Sequence, residues 1–399
     1  MADQAIEQIG MADVVIGLVP SSNDAEQIGS AIRRILQFTP LVRAVLVHPP
    51  YSENGAEPLQ PGTPWQLMPN TQLAQDPSAL AQSLGDSFRA VYEITRSLGA
   101  RACAVVASDL STVTEGWVTM LLEPIVDGRF DLVTPCYARH PFEGMINRAI
   151  VYPLVRALYG KHIRNPLGPD FGISSALVEK MAAAPRNRVH PLASLSAEAA
   201  TSGMKICQSH LGPRVYPGPD WTNLSSLLSQ VLGPLFIDVE RNAPQWQRAR
   251  ESQAIPEFGV PQYVAGPESA VDVTRVIDSF KLGARNLPEV WGMILAPSTL
   301  VELKRLALKD ASGFRMPDET WARIVYDFAL AHRLRTISRD QMLRALTPIY
   351  LGWVASYALE VENAAPDQVE QRVENLCVAY ENTKSHFVAR WRWPDRFNP

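Results

Sequence analysis

Cysteine is scarce in this sequence, and the spacing of the few cysteines excludes the common cysteine-based sites. Four occur among 399 residues, with no Cys-x-x-Cys pair: Cys103, Cys136, Cys207 and Cys377. Zinc modules need closely spaced pairs of Cys or His ligands, which these four do not provide. Each cysteine lies in an apolar run, as is typical of a small buried thiol in a reducing cytosol. We therefore expect four small, buried thiols.

An excess of positive charge is also absent. The chain has 37 Lys and Arg against 41 Asp and Glu, a formal net charge of −4, so nucleic acid is not expected as a main partner. No apolar run approaches the roughly 20 residues that span a bilayer. The opening residues, MADQAIEQIGMAD, carry acids and lack the basic-then-apolar pattern of a secretory leader. We expect a soluble cytoplasmic protein without a membrane partner, and the 46% apolar content is enough for a full core.

One apolar stretch runs directly into a carboxylate. Residues 102–110 read ACAVVASDL. Unbroken Val and Ala favour a strand buried on both faces, as in a parallel sheet covered by helices. Ligands of such sheets bind at the carboxyl ends of the strands, which places Asp109 where a substrate or metal would be met. The alternative is that Asp109, Ser111 or Thr114 only caps the helix that begins near Glu115. The stretch alone leaves both interpretations open.

Strand and helix patterns alternate along the first part of the chain. Further strands are predicted at Asp13 to Val19, Val42 to Val47, Asp131 to Cys136 and Met204 to Gln208, with amphipathic helices between most of them. This alternation predicts a mostly parallel, Rossmann-like sheet in an α/β fold. The proline-rich stretch from Pro49 to Pro77 is predicted to lack regular structure.

From about residue 270 onward the patterns are helical only. Five helices are predicted: Val271 to Arg285, Ser298 to Lys309, Pro317 to Arg333, Ser338 to Glu360 and Asp367 to Trp391. Several prolines mark the preceding stretch as a linker or lid. We therefore predict a sheet domain at residues 1–243, a linker or lid at 244–269 and a helical region at 270–399.

Two polar loops follow the predicted strand that ends at Cys136. The first, residues 137–144, contains Arg139 and His140, and the second, residues 160–172, mixes cations, glycines and prolines with Asp170. The composition of the second loop suits ligand contacts better than passive connection. The alternatives are that Arg139 and His140 brace their own loop, and that Asp170 forms an Asx turn.

Several segments of the chain resemble a known family. The family is that of the glucosylglycerate and mannosylglycerate synthases. The similar segments are the opening GLVPSSND (17–24), SDL (108–110), DLVTP (131–135), IVYPLVRALYGK (150–161) and IRNPLGPDFG (163–172). The synthases are glycosyltransferases of the GT-A fold with an added helical region. The resemblance implies a GT-A fold and transfer of glucose or mannose from a nucleotide diphosphate sugar to a small polar acceptor such as glycerate, with retention of configuration.

The resemblance also implies roles for individual residues. Asp170 is the implied catalytic residue, and Asp109 is the implied ligand of Mg²⁺ or Mn²⁺. A homodimer is a further possibility for the assembly of the chain. The acceptor would be bound by Arg139, His140, Arg164 and Asn165. The nucleotide sugar would be bound by Pro20, Ser21, Asn23, Asp24, Ser108 and Asp109.

The sequence departs from the family where the metal and donor are bound. The acidic triplet after the central strand has Ala107 in place of its first acid, and Tyr216 stands where a histidine is expected. A neutral phenol is a poor ligand for a hard cation. A metal is therefore expected to bind weakly or to be dispensable. Two functions remain: an active hexosyltransferase, and a catalytically impaired relative that serves as a scaffold for a ligand or partner.

Overall fold

The structure is a computed structural model that describes residues 13–19, 44–47, 65–67, 88–107, 113–184, 191–214, 223–264 and 271–394. The chain divides into two compact units. The first, which we call the sheet unit, consists of residues 1–138, 163–215 and 254–262. The second, the helical unit, consists of residues 139–162, 216–253 and 263–399. The boundaries at 243 and 270 that the sequence suggests stay a prediction.

One sheet of eight strands, counted over the described residues, forms the centre of the sheet unit. Its order is β3-β2-β1-β4-β6-β5-β7-β8, and every pairing is parallel except those of β6, which is antiparallel to both of its neighbours. The strands are β1 (Val14–Leu18), β2 (Ala44–Val47), β3 (Trp65–Leu67), β4 (Ala102–Val106), β5 (Leu132–Ala138), β6 (Phe171–Ser174), β7 (Ile206–Pro213) and β8 (Glu257–Phe258).

The helices of both units are named in chain order. They are α1 (88–97), α2 (Glu115–Val126), α3 (Tyr152–Tyr159), α4 (Ser175–Ala183), α5 (Pro191–Thr201), α6 (Leu224–Arg241), α7 (Ala243–Trp246), α8 (Val273–Asn286), α9 (Pro288–Gly292), α10 (Pro297–Ala307), α11 (Asp318–Leu334), α12 (Arg339–Val361) and α13 (Pro366–Arg392). A π-helical turn over Asn147–Val151 leads into α3.

The two faces of the sheet carry separate apolar cores, and β4 contributes to both. Cys103 and Val105 pack into one core with side chains of α1 and α4, whereas Ala104 and Val106 pack into the other with side chains of α2. All five residues of β4 are buried. This burial on both faces explains why the strand has no alternation of polar and apolar residues.

Helix α2 lies very close to β6. A Cβ atom on Gly172 would stand 1.9 Å from the carbonyl oxygen of Leu121, so only glycine fits at this position of β6. The close packing holds β6, which directly follows Asp170, against α2.

The helical unit is held together by ion pairs and aromatic packing. The guanidinium of Arg156 on α3 is almost completely buried and bonds to Glu374 and Glu381 of α13. The indole N–H of Trp321 on α11 donates to the carbonyl of Ala149 at 2.8 Å. Residues 139–162 therefore pack with the C-terminal helices.

The predicted fold class is confirmed. The chain has the predicted mostly parallel α/β sheet and a helical C-terminal region, and residues 271–394 contain helices and turns but no strand. No helix in the described residues is long and apolar enough to cross a membrane. All four cysteines are buried, as predicted, and none of them forms a disulfide.

The structure corrects the prediction for the proline-rich stretch. That stretch contains β3, which pairs in parallel with β2, so the prediction that it lacks regular structure is wrong for these three residues. The prediction considered only local composition, whereas a short strand of this kind forms because a neighbouring strand supplies its hydrogen bonds.

Candidate functional site

Asp170 lies at the carboxyl edge of the sheet. The parallel strands β4 and β5 end there, at Val106 and Ala138. The antiparallel β6 begins at this same edge, with Phe171 paired to Val105. The residue just before β6 is therefore brought beside the residue just after β4. Ligands of open α/β sheets bind at this edge.

The carboxylate of Asp170 is completely buried and hydrogen-bonded on both oxygens. Oδ1 accepts from the backbone N–H of Ala107 at 2.9 Å, and Oδ2 accepts from the Tyr137 hydroxyl at 2.5 Å. A buried carboxylate needs such donors because its transfer from water is otherwise very costly. Asp170 thus fixes the first residue of the Ala107-Ser108-Asp109 triplet.

Two further side chains pack on the Tyr137 ring. The guanidinium carbon of Arg214, which directly follows β7, lies 5.1 Å from the ring centroid, and the ring of Trp117 on α2 lies 5.9 Å from it. The first contact is a cation–π interaction. The buried indole N–H of Trp117 has no hydrogen-bond partner among the described residues. A carboxylate, a phenol and a guanidinium thus meet at the edge of the sheet.

Sequence reasoning missed Tyr137 and Arg214 as parts of this site. A signal for each was present, because Tyr137 is the first polar residue after the Asp131 to Cys136 pattern and Arg214 follows the Leu211-Gly212 pair. Neither signal indicates which side chain Tyr137 or Arg214 contacts. The contact between the two side chains follows from the pairing of β5 with β7.

Arg164 and Asn165, predicted to bind the acceptor, lie in the same unit as Asp170 and contact other protein groups. The buried amide of Asn165 donates to the carbonyl of Pro135 at 2.9 Å. The backbone N–H of Arg164 donates to Gln208 Oε1 at 3.1 Å, and its guanidinium lies 3.7 Å from Glu257. These contacts hold the 163–169 loop against β5, β7 and β8.

Glu257 on β8, which lies beside the Arg164 guanidinium, also contacts two side chains of β7. It lies 2.8 Å from His210 Nε2 and accepts from the Gln208 amide at 2.7 Å. The pKa of Glu257 is lowered, first by the hydrogen bond with His210 and then by the charge of Arg164. The carboxylate is therefore kept ionised, which fastens the two-residue strand β8 to its neighbour β7.

Arg139 and His140, also predicted to bind the acceptor, belong to the helical unit. The backbone N–H of His140 donates to the Glu143 carboxylate at 3.0 Å, and His140 Nδ1 accepts from the Phe142 N–H at 3.4 Å. Gly144 has φ +62°, and a Cβ there would meet the Arg139 guanidinium at 2.4 Å. The loop therefore has a defined turn geometry.

The remaining predicted positions lie outside the described residues. These are the nucleotide-sugar positions Pro20, Ser21, Asn23, Asp24, Ser108 and Asp109, the last also the predicted metal ligand, and Tyr216. Within the described ranges, no group of three or more His, Cys, Asp or Glu side chains is arranged to hold a metal ion. The described donor set on its own therefore does not form a metal centre.

Comparison with known proteins gives remote structural likenesses only. No protein-family model matches the chain, and no curated protein matches it. Among solved structures it is similar to glucosyl-3-phosphoglycerate synthase from Mycobacterium tuberculosis in complex with phosphoglyceric acid, at 17% identity and a TM-score of 0.41, covering 59% of this chain and 82% of the other. The complex of that enzyme with Mn²⁺, UDP-glucose and phosphoglyceric acid gives 16% identity and a TM-score of 0.41, covering 60% and 82%. At such low sequence identities and TM-scores, the structural likeness does not assign an activity to this chain.

Proposed function

We propose that the chain is a hexosyltransferase that moves glucose or mannose from a nucleotide diphosphate sugar to a small polar acceptor such as glycerate, with retention of configuration. The resemblance of its motifs to the glucosylglycerate and mannosylglycerate synthases supports this proposal. The observation that carries it is the buried Asp170 carboxylate at the carboxyl edge of the sheet, fixed by Ala107 and Tyr137. A fixed carboxylate at this edge is suited to contact a sugar or acceptor hydroxyl.

In the proposed reaction, the bond between the anomeric carbon and the β-phosphate oxygen breaks, and its electron pair leaves with the nucleoside diphosphate. The acceptor hydroxyl oxygen bonds to the same face of the anomeric carbon, and its proton passes to the departing diphosphate. Asp170 would orient the hydroxyl groups at the reacting centre. Its negative charge also favours the partial positive charge of an oxocarbenium-like transition state.

The leaving diphosphate needs positive charge beside it. Arg214 carries a guanidinium at the carboxyl edge, held over the ring of Tyr137, and guanidinium groups bind phosphate oxygens well. Asp109 would hold Mg²⁺ or Mn²⁺, which would neutralise part of the same charge. Since Ala107 removes one carboxylate from the triplet, we propose that dependence on the metal is weak.

A catalytically impaired scaffold is the second candidate. Two observations favour it: both oxygens of Asp170 already accept hydrogen bonds from the protein, and Ala107 supplies no carboxylate. In this case Asp170 would serve only to fix the turn after β4. The scaffold would bind a nucleotide or partner without turnover.

A ligand screen tests whether the chain binds a nucleoside diphosphate. Thermal shift of the full chain would be recorded with UDP, GDP and ADP, each with and without Mg²⁺ or Mn²⁺. We expect one of the three to raise the melting temperature, with little further effect of the metal. Arg214→Gln should abolish the shift, whereas Arg129→Gln, which alters an exposed cation of the same unit, should leave it unchanged. No shift with any nucleotide would contradict the proposed donor site.

A further inference from the structure

Tyr357 on α12 contacts the loop that carries Arg139 and His140. Its hydroxyl donates to the carbonyl of Pro141 at 3.1 Å. Its ring meets the Phe142 ring edge-to-face, with centroids 6.2 Å apart and planes at 88°. Tyr357 is completely buried and Phe142 nearly so. Two independent contacts therefore hold the middle of this loop.

The support continues into the core of the helical unit. The Tyr357 ring stacks on Trp353 at 5.2 Å, and Trp353 stacks on Trp321 at 5.9 Å. Stacked and edge-to-face aromatic pairs have defined geometry, and these three side chains are fully buried. The loop therefore rests on a rigid column of rings.

The loop contacts also set the tautomer of His140. Because Nδ1 accepts from the Phe142 N–H, the neutral imidazole carries its proton on Nε2. The ring of His140 lies 5.7 Å from that of Phe142, which itself packs on Tyr357. The same residue, Phe142, thus connects Tyr357 to both the orientation and the tautomer of His140.

We propose that Tyr357 is a positioning residue that holds loop 139–144 in the form in which His140 donates its Nε2–H to the acceptor. This inference rests on the proposed hexosyl transfer. Tyr357 would act through the loop and touch no substrate. Its effect should appear in acceptor recognition, because the donor would be bound by other residues.

The test uses two matched substitutions in the full chain. Tyr357→Phe removes only the hydroxyl, which donates to Pro141 and also interacts with Arg148. Tyr350→Phe is the control, since Tyr350 lies two turns earlier on the same helix, is equally buried and packs on Trp321 instead of on the loop. UDP-glucose and GDP-mannose serve as donors and D-glycerate as acceptor. Amide hydrogen exchange of the peptide over residues 139–148 is measured in parallel.

For Tyr357→Phe we expect the acceptor KM to rise about fivefold, as the loss of one hydrogen bond implies, with kcat and the donor KM unchanged within about twofold. Exchange of the loop amides should also be faster, and Tyr350→Phe should show neither effect. Equal behaviour of the two variants in acceptor KM or in loop exchange overturns the inference. If the unmodified chain transfers no hexose, the proposed function fails, and loop exchange alone then decides whether Tyr357 positions the loop.

Discussion

The carboxylate of Asp170 accepts a hydrogen bond from the backbone N–H of Ala107 at 2.9 Å. This bond joins the residue before the antiparallel β6 to the residue after the parallel β4, and it does so at the edge of the sheet where ligands bind. Asp170 therefore fixes the start of the triplet that contains Asp109, whatever chemistry the triplet performs.

The Tyr137 hydroxyl should contribute measurably to stability. Tyr137→Phe leaves one buried oxygen of Asp170 without this donor, so we expect the free energy of unfolding to fall by about 1–3 kcal/mol. Tyr92→Phe is the matched control, because the buried Tyr92 hydroxyl has no hydrogen-bond partner among the described residues. Its removal should change stability by less than about 0.5 kcal/mol or increase it. Urea unfolding of both variants measures the difference, and equal losses would contradict the assigned hydrogen bond.

Stability should fall in mild acid because of His332. Burial, aided by the nearby charges of Arg339 and Arg335, lowers the pKa of His332 from 6.5 to about 4. In the unfolded chain the His332 imidazole is protonated as the pH falls through about 6.5, whereas in the folded chain it is protonated only near pH 4. The stability linked to the neutral imidazole is therefore complete at neutral pH and is lost as the pH falls through this window, by at most about 1.4 kcal/mol per pH unit.

Urea unfolding of His332→Leu across that window tests this linkage. The variant should show a flatter dependence of unfolding free energy on pH than the unmodified chain. Phe280→Leu is the control, since Phe280 is equally buried, packs on Trp291 and Phe314 instead of on His332, and carries no proton that titrates. It should lower the whole curve and leave its slope unchanged. Curves of equal slope for His332→Leu and the unmodified chain would show that His332 does not cause the acid sensitivity.

Metal binding should increase when the two altered family positions are restored. The unmodified chain offers Asp109 as the one predicted ligand, and even losses around a metal's direct ligands reduce affinity by roughly 10–100-fold. We expect calorimetry to show weak or no Mn²⁺ binding by the unmodified protein without nucleotide. The Ala107→Asp, Tyr216→His double variant should bind UDP more tightly when Mn²⁺ is present. Tight Mn²⁺ binding by the unmodified chain would contradict the predicted loss of ligands.

The sequence predicts those parts of the fold in which burial determines the residue types. The unbroken apolar run of β4 predicts a strand covered on both faces, and the structure has one. In contrast, β6 was missed, because Phe171–Ser174 follows a loop rich in Gly and Pro and is formed by pairing with β4 and β5. β8 was missed for the same reason: two residues carry no periodic pattern, and the strand depends on β7 and on the contacts of Glu257.

The sequence predicts only part of the candidate site. The loop composition singled out Asp170, which lies at the carboxyl edge of the sheet. Tyr137 and Arg214 were missed because their contact arises between the ends of two strands that are far apart in sequence. The contacts of Asn165 and Arg164 with their neighbours likewise depend on packing, which residue type does not specify.

A transfer assay with Asp170→Asn tests the proposed function most directly. The full chain is incubated with UDP-glucose, GDP-mannose or ADP-glucose and D-glycerate, and the product's anomeric configuration is read by NMR. The control is Asp238→Asn, which alters another buried aspartate that accepts from a tyrosine hydroxyl, Tyr159, at 2.8 Å in the helical unit. We expect the unmodified chain and Asp238→Asn to form a glycoside with the donor's configuration, and Asp170→Asn to lower kcat by about 100-fold or more. Absence of transfer from all three donors, or an Asp170→Asn variant as active as the unmodified chain, would contradict the proposal.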